Sequence, residues 1–444
     1  MLLLTSAATA AAVSDGDCRG WLEDQHQRLQ SLGITDPGTT AIPGYPHLRT
    51  NRWLAMLQSE VVSDGDASQW LAMAGQVALD SWRVRLRRAD GDQAEQERLE
   101  TCINRQVALS AFPGVPQVTV DDNYATSLRV LGLYPLTRLL AMPSINGYRR
   151  EMAARFLAAR PKAHHHYLPP AFPGAPPPPT ELSVNYLEVP LPGKAARNAL
   201  LAQYAPVITS GSDNPWDQPG RVLMETDGPR VDPGQPTAYQ WIGWTRFRGH
   251  NLLQLNYQFW FTRRPAQGRM DLYAGHLDSL IWRVTLKPDG NVLFYDSIHG
   301  CGCYHKVYPV AKGLKAADLP DAPVFYPRLA ANARDTRVAL HLDPDTHYVV
   351  GISRFEPDRN TPTTSYRTTS ADSLLALPTP RGYQSLYDER GLVPSSRRRE
   401  RLLLWPLGVP SAGAMRQPGT HATAFIGRRH FDDPALPAQI FQQP

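Results

Sequence analysis

A proline-rich stretch separates two parts of the chain that differ in hydrophobic periodicity. The stretch HHHYLPPAFPGAPPPPT covers residues 164–180. Consecutive prolines favour an extended, solvated backbone without internal hydrogen bonds, so the stretch predicts a linker over residues 161–181. We interpret the three histidines in it, His164–His166, as linker residues rather than as a metal site.

Upstream of this linker, apolar residues recur at spacings of three and four, as in Trp70, Leu71, Ala74 and Val77. This spacing is typical of helices that bury one face. The segments SDGDC and SDGDAS precede two such runs, and their Asp and Ser side chains can accept hydrogen bonds from a first helical turn. We therefore predict a helical domain over residues 18–160.

Downstream of the linker, short β-branched and aromatic runs are bounded by Gly, Pro, Asp and Asn. In LLQLNYQFWF, Leu253 to Phe261 alternate with Gln254, Asn256, Gln258 and Trp260. The segment WRVTLKPDGNVLFYD predicts a hairpin with its turn at residues 288–291. We predict a β-rich domain over residues 182–444, an antiparallel β-sandwich or a distorted β-barrel, and an α+β fold for the whole chain.

Composition and charge exclude two classes of protein. Of the 444 residues, 42% are apolar and 20% are charged, and no apolar run reaches the ~18 residues that a membrane-spanning helix requires. The net charge is +5, but acidic residues interrupt or flank the short basic runs. We therefore expect a globular protein without a nucleic-acid partner.

The N-terminus and two cysteines bear on the cellular compartment. MLLLTSAATAAAV has the apolar stretch and small-residue site of a secretory signal, although it lacks a positive n-region. We expect a signal segment at residues 1–17 and a periplasmic or secreted protein; the alternative is a cytoplasmic protein with a frayed terminus. In an oxidising compartment, Cys18 and Cys102 are the natural disulfide pair.

The stretch DSIHGCGCYH at residues 296–305 alternates potential metal ligands with other residues: His299, Cys301, Cys303 and His305. In an extended strand the first and last of these would lie about 20 Å apart at roughly 3.3 Å per residue, too far to bind one ion. Gly300 and Gly302 permit a tight loop instead. In that cysteine loop, residues 299–305, two thiolates and two imidazoles would converge on zinc or a comparable divalent metal.

Two other interpretations of the cysteine loop stay open. Cys301 and Cys303 would form a readily reduced disulfide or a reactive thiol pair in an oxidising compartment. Alternatively, the cysteines and histidines are packing residues whose polar groups the backbone satisfies.

Other residues would complete a metal site at this loop. His276 and Asp278 precede the hairpin that leads into the loop, are expected to face the same side, and either would serve as general base toward a metal-bound water. His421 would add a ligand, and Arg428 or Arg429 would offset charge that develops on a substrate. These residues predict a metal-dependent hydrolase with an unknown small-molecule or envelope partner. The rival is a non-catalytic envelope protein whose cysteine loop is structural or redox-active.

The segments WRVTL, YDSIHGCGCYH and GAMRQPGTHATAFIGRRHFDD resemble those of a family of predicted exported proteins from proteobacteria. That resemblance covers most of the chain and implies a common fold but no particular activity. The order of LLQLNYQFWF, GHLDSLIWRVTL and YDSIH is also similar to that in necrosis-inducing and vacuolar-sorting-type β-sandwich domains. This second likeness implies a metal-binding edge rich in histidine and acidic residues, although Arg283 stands here where those domains have an acidic residue.

Overall fold

The structure is a computed structural model that describes residues 15–442 except 159, 161, 171–183, 186 and 328–336. The predicted signal segment at residues 1–17 lies outside the described residues apart from its last three. Within the described ranges, no helix is long and apolar enough to cross a membrane.

Helices dominate the described chain up to residue 157, as the apolar spacing predicts. They are α1 (Asp15–Ser31), α2 (Arg52–Gln58), α3 (Asp64–Arg88), α4 (Gln93–Leu109), α5 (Thr126–Leu131) and α6 (Tyr134–Leu157). A hairpin that the sequence did not predict, β1 (Thr40–Ile42) and β2 (Tyr45–Thr50), follows α1. The segment SDGDAS caps α3 as expected, because the Ser63 and Asp66 side chains each accept a hydrogen bond from the other residue's backbone N–H.

A disulfide joins Cys18 of α1 to Cys102 of α4, which confirms the predicted pair. Both cysteines are fully buried, and they pack in one apolar cluster with Trp82 of α3. The two cysteines are 84 positions apart, so the bond closes a loop that contains α2 and α3.

From His165 onwards the regular secondary structure of the described chain is mainly β-strand, which confirms the α+β prediction. The strands are β3 (His165–Leu168), β4 (Val207–Ser210), β5 (Arg221–Glu225), β6 (Gly228–Asp232), β7 (Thr237–Phe247), β8 (His250–Arg264), β9 (Gly275–Leu286), β10 (Val292–His299), β11 (Lys306–Pro309), β12 (Val324–Phe325), β13 (Val338–Leu342), β14 (Val349–Arg354), β15 (Thr363–Ser365), β16 (Arg367–Ser370), β17 (Leu377–Thr379) and β18 (Gly382–Gln384). Short helices interrupt them: α7 (Lys194–Gln203), α8 (Arg401–Leu404) and α9 (Leu436–Ile440).

Two sheets pack around a shared apolar core. The larger has the strand order β12-β11-β10-β9-β8-β7-β16, and the smaller has the order β14-β13-β4-β3-β15. Strands β7 to β11 pair antiparallel, whereas β12 and β16 at the edges pair parallel. The predicted alternation in β8 is present, because the core contains Leu253, Leu255, Tyr257, Phe259 and Phe261. The predicted hairpin is formed by β9 and β10.

Part of the predicted linker is a strand of the smaller sheet. Strand β3 lies between β4 and β15, and the Nδ1 atom of the buried His166 lies 3.0 Å from Thr209 Oγ1. The linker prediction is wrong over His165–Leu168 because no proline lies between Pro161 and Pro169, so these residues keep the backbone N–H groups that a strand needs. Residues 171–181 of the predicted linker lie outside the described chain.

We expect the Cys18→Ser/Cys102→Ser variant to lose about 2–4 kcal/mol of unfolding free energy, because its unfolded chain regains loop freedom. Chemical denaturation of the variant and of oxidised wild type measures this difference. Wild type under a reductant is the matched control and should unfold like the variant. A variant as stable as the oxidised protein would contradict the expectation.

Candidate functional site

The cysteine loop connects β10 to β11 as a tight turn. The His299 amide donates to the Cys303 carbonyl oxygen at 3.0 Å, and the Gly302 amide donates to the His299 carbonyl oxygen at 2.8 Å. Gly302 has a φ of +89°, and a Cβ there would lie 2.5 Å from the Ala422 carbonyl oxygen. The loop is therefore bent and depends on a glycine, as the sequence predicts.

The two histidines of this loop belong to different buried clusters. His299 Nδ1 lies 3.7 Å from Asp278 Oδ1, whereas His305 Nε2 lies 3.0 Å from Asp296 Oδ2. Burial lowers the pKa of His299 to about 4, although the Asp278 carboxylate acts in the opposite direction. His299 is therefore a neutral imidazole at neutral pH.

The cysteines of the loop are buried free thiols. A hydrogen bond with Cys301, together with burial, raises the pKa of Cys303 well above its usual value, whereas metal binding requires a thiolate. His421, the further predicted ligand, donates from Nε2 to the Gly300 carbonyl oxygen at 3.1 Å. In the described part of the chain, no group of three or more His, Cys, Asp or Glu side chains is arranged to hold a metal. The zinc site stays a prediction.

The predicted general bases, His276 and Asp278, do not share one environment. Asp278 is buried, its Oδ2 accepts a hydrogen bond from His347 Nδ1 at 2.8 Å, and Arg398 lies 3.7 Å from its Oδ1. His276 is exposed. Leu277 between them has a φ of +54°, yet His276 and Asp278 pair with Arg263 and Phe261 of β8 without a register shift. That both face the same side stays a prediction.

The predicted substrate-binding arginines contact carboxylates of the protein itself. Arg428 pairs with Asp122 and donates to Thr126 Oγ1 at 2.7 Å. Arg429 is buried and lies 3.1 Å from Asp321 Oδ1. These contacts hold the C-terminal segment against other parts of the fold, and a role toward a substrate stays a prediction.

His347 carries a positive charge inside the core. Its Nδ1 lies 2.8 Å from Asp278 Oδ2, its Nε2 lies 3.3 Å from Asp217 Oδ1, and its ring stacks on Phe261 at 4.0 Å between centroids. Burial lowers the pKa of His347, but the hydrogen bonds to the two carboxylates outweigh it and raise the pKa to about 9. This ion triad joins β9 to the segments before β5 and β14, and we interpret it as structural.

A different feature has the shape of a binding site. A cleft of about 650 Å³ lies between α3 and the polar face of β7 and β8. Helix α3 and the segments around residues 370–372 and 417–419 form its walls, and residues of β7 and β8 form its floor. Pockets of this size accommodate a small ligand or several units of a polymer.

The floor of the cleft consists of a glycine and two amides. Gly243 of β7 pairs with Gln254 of β8, and a Cβ at Gly243 would lie 3.6 Å from Asn256 Nδ2 and 3.8 Å from Gln254 Oε1. Gln254 Nε2 donates to Thr285 Oγ1, and Asn256 Nδ2 donates to the Trp241 carbonyl oxygen. Their side-chain oxygens accept no hydrogen bond from any described residue. The floor therefore offers acceptors that a ligand can use.

Three tryptophans line the same cleft: Trp53, Trp241 and Trp244. Trp53 and Trp244 stack with 4.9 Å between ring centroids and 25° between planes, and Trp244 Nε1 donates to the Pro190 carbonyl oxygen at 2.8 Å. Trp241 is half-buried. Rigid aromatic faces beside amides suit a ligand that has both C–H surfaces and hydroxyl groups.

Two carboxylates, Asp80 of α3 and Asp372, lie at the wall of the cleft. Solvent in the cleft reaches 50% of the Asp80 side chain, yet protein surrounds it on its other sides. Burial in this concave wall raises the pKa of Asp80 to about 6, and the charge of Asp372 contributes to the increase. Asp372 is also exposed on one side, but the protein around its other sides desolvates it and raises its pKa, with a further contribution from Asp36. Carboxyl groups whose pKa is raised in a cleft are typical of acid–base sites.

The sequence contained one signal for this cleft. Gln254, Asn256 and Gln258 occupy alternate positions of a strand that is otherwise apolar, and buried amides require partners. The sequence does not single out Asp80 and Asp372, because they belong to no motif and are neighbours only in the folded chain.

Comparison of the chain with protein-family models, curated proteins and solved structures returned no match. The two resemblances noted in the sequence therefore stay predictions. The proposed function therefore rests on the residues that line the cleft.

We expect His347→Gln to destabilise the protein in a pH-dependent way. The folded-state pKa of about 9 exceeds the unfolded value of 6.5, so the stabilisation is complete below pH 6.5 and is lost as the pH rises through 9. The loss amounts to roughly 3 kcal/mol. Chemical denaturation of wild type and variant between pH 6 and pH 10 measures the difference in unfolding free energy at each pH. Groups that titrate in both proteins cancel in this difference. A difference that does not change with pH would rule out a charged His347.

Proposed function

We propose that the protein binds a neutral oligosaccharide in the cleft and hydrolyses a glycosidic bond of that ligand. The observation that carries this proposal is the carboxylate pair Asp80 and Asp372, which shares a concave cleft with open amide oxygens and tryptophan rings. Most glycosidases act through two carboxyl groups that flank the scissile bond.

The charge of the cleft supports a neutral ligand. The charge of Asp372 raises the pKa of Asp80, and the charge of Asp36 raises the pKa of Asp372, so a further anion nearby is unfavourable. Arginines also line the cleft, but several are already paired: Arg52 with Asp432, Arg83 with Glu100 and with Asp80 itself, and Arg283 with Asp296. Hydroxyl groups can instead donate to Gln254 Oε1 and Asn256 Oδ1 while a sugar ring packs on Trp241.

Asp80 is the general acid in this proposal. Its raised pKa keeps the carboxyl protonated below about pH 6, and it donates that proton to the glycosidic oxygen as the bond to the anomeric carbon breaks. Asp372 accepts a proton from the water that attacks the anomeric carbon from the opposite face. One water is consumed, two sugar products form, and the anomeric configuration inverts.

The sequence predicts a hydrolase in which a metal activates the attacking water. Here the protein is again a hydrolase, but a carboxylate of the cleft activates the water. The zinc site of the cysteine loop is a separate prediction. An exported location is part of the proposal, and the Cys18–Cys102 bond supports it because disulfides are typical of oxidising compartments.

We expect Asp80→Asn and Asp372→Asn each to reduce kcat by about 10²–10⁴-fold, because each removes a proton-transfer group. Release of reducing ends from a panel of neutral α- and β-linked oligosaccharides measures activity, and tryptophan fluorescence measures binding. Wild-type activity should fall as the pH rises above about 6, where Asp80 loses its proton.

Asp24→Asn is the matched control for these variants, because Asp24 is exposed on α1 and does not line the cleft. It should retain full activity. The proposal fails if wild type neither binds nor hydrolyses any member of the panel, or if both cleft variants hydrolyse as fast as wild type.

We expect Gly243→Val to abolish oligosaccharide binding, because the side chain would project over Gln254 and Asn256 and occupy the floor. Gly268→Val is the control, since a Cβ at the exposed Gly268 has open space around it. Thermal unfolding checks that both variants fold. A folded Gly243→Val protein that binds as tightly as wild type would show that the ligand lies elsewhere.

A further inference from the structure

Large apolar side chains are exposed on two segments that are distant in sequence. The exposed residues are Leu131, Leu133, Leu136, Leu139 and Leu140 around α5 and α6, and Leu402, Leu403 and Trp405 in and after α8. Leu140 keeps 80% of its surface exposed, and Leu402 keeps 66%. Exposed apolar sets of this extent mark interaction surfaces in proteins that otherwise bury such residues.

The two segments lie side by side. Gly132, between α5 and α6, is so close to Pro406 that a Cβ there would lie 2.3 Å from the Pro406 Cβ. Arg129 of α5 donates to the Leu407 carbonyl oxygen at 2.9 Å, and its guanidinium lies 4.4 Å from the Tyr134 ring centroid. We call the exposed leucines of both segments, together with Trp405, the leucine surface.

Charge at the leucine surface has one sign. Arg138, Arg399 and Arg401 are exposed among the leucines, and none of them forms an ion pair with a described residue. The sequence contains no Asp or Glu at residues 123–150 or 401–431. Glu400, which lies between two of these arginines, is buried. The surface is therefore apolar and cationic.

We propose that the leucine surface binds the face of an anionic lipid membrane. Exposed leucines insert into the boundary between head groups and acyl chains, while arginines extend to the anionic head groups. Tryptophan favours the same interface because its ring is apolar and its N–H is polar. A protein partner would also cover the leucines, but the arginines form no ion pair with a described residue and their neighbour Glu400 is buried, so they complement an anionic lipid surface better.

The experiment is co-sedimentation of the full chain with phosphatidylcholine vesicles that contain or lack phosphatidylglycerol. We expect binding to the anionic vesicles only, and weaker binding as salt increases, because salt screens the arginines. Arg399→Gln/Arg401→Gln should weaken binding roughly thirty-fold, since each cation near the surface contributes about 1 kcal/mol. Leu139→Ser/Leu140→Ser should weaken binding at least as much.

Val62→Ser/Met270→Ser is the matched control, because Val62 and Met270 are exposed apolar residues outside the leucine surface. It should bind like wild type. Absence of vesicle binding, or equal binding to both vesicle types, would overturn the proposal. So would a dimer, detected by light scattering, that Leu139→Ser/Leu140→Ser dissociates, because the surface would then join two copies of the chain.

Discussion

The fold depends on the burial of both faces of its larger sheet. One face packs against the smaller sheet, and helices and the C-terminal segment cover the other, so the polar side chains of the central strands need partners inside the protein. The buried Arg283 guanidinium meets Asp296 with 2.9 Å between Nε and Oδ1, and Asp278 meets His347. Gln254 and Asn256 have hydrogen-bond partners only for their side-chain nitrogens. If apolar side chains covered these two amides, their oxygens would be buried without a hydrogen-bond partner. The cleft remains open at this point.

The helical part supplies the other wall of the cleft and keeps it in place. Asp80 lies on α3, whose first turn is capped by Ser63 and whose Trp82 packs with the disulfide between α1 and α4. The stacked pair of Trp53 and Trp244 then ties the helical region to β7. A carboxylate held in this way keeps its position relative to the sheet, which is the preorganisation that acid–base catalysis requires.

Local patterns in the sequence predicted the features that depend on neighbouring residues. The helices, the hairpin of β9 and β10 and the bend at Gly302 follow from periodicity and glycine conformation. The sequence did not show that His299 and His305 enter separate clusters, because the turn between them reorients the chain. Nor did it show that the segment HHYL before the prolines, strand β3, joins a sheet, since its strand neighbours come from distant segments. The Asp80 and Asp372 pair was equally inaccessible, because tertiary folding alone brings these carboxylates together.

The most direct test of the cleft as a glycoside site is a crystal structure of the Asp80→Asn variant soaked with an oligosaccharide from the panel. We expect a sugar ring against Trp241, hydroxyl groups within hydrogen-bond distance of Gln254 and Asn256, and a glycosidic oxygen beside the side chain at position 80. Oligosaccharide density at another surface, with the cleft holding only solvent, would contradict it.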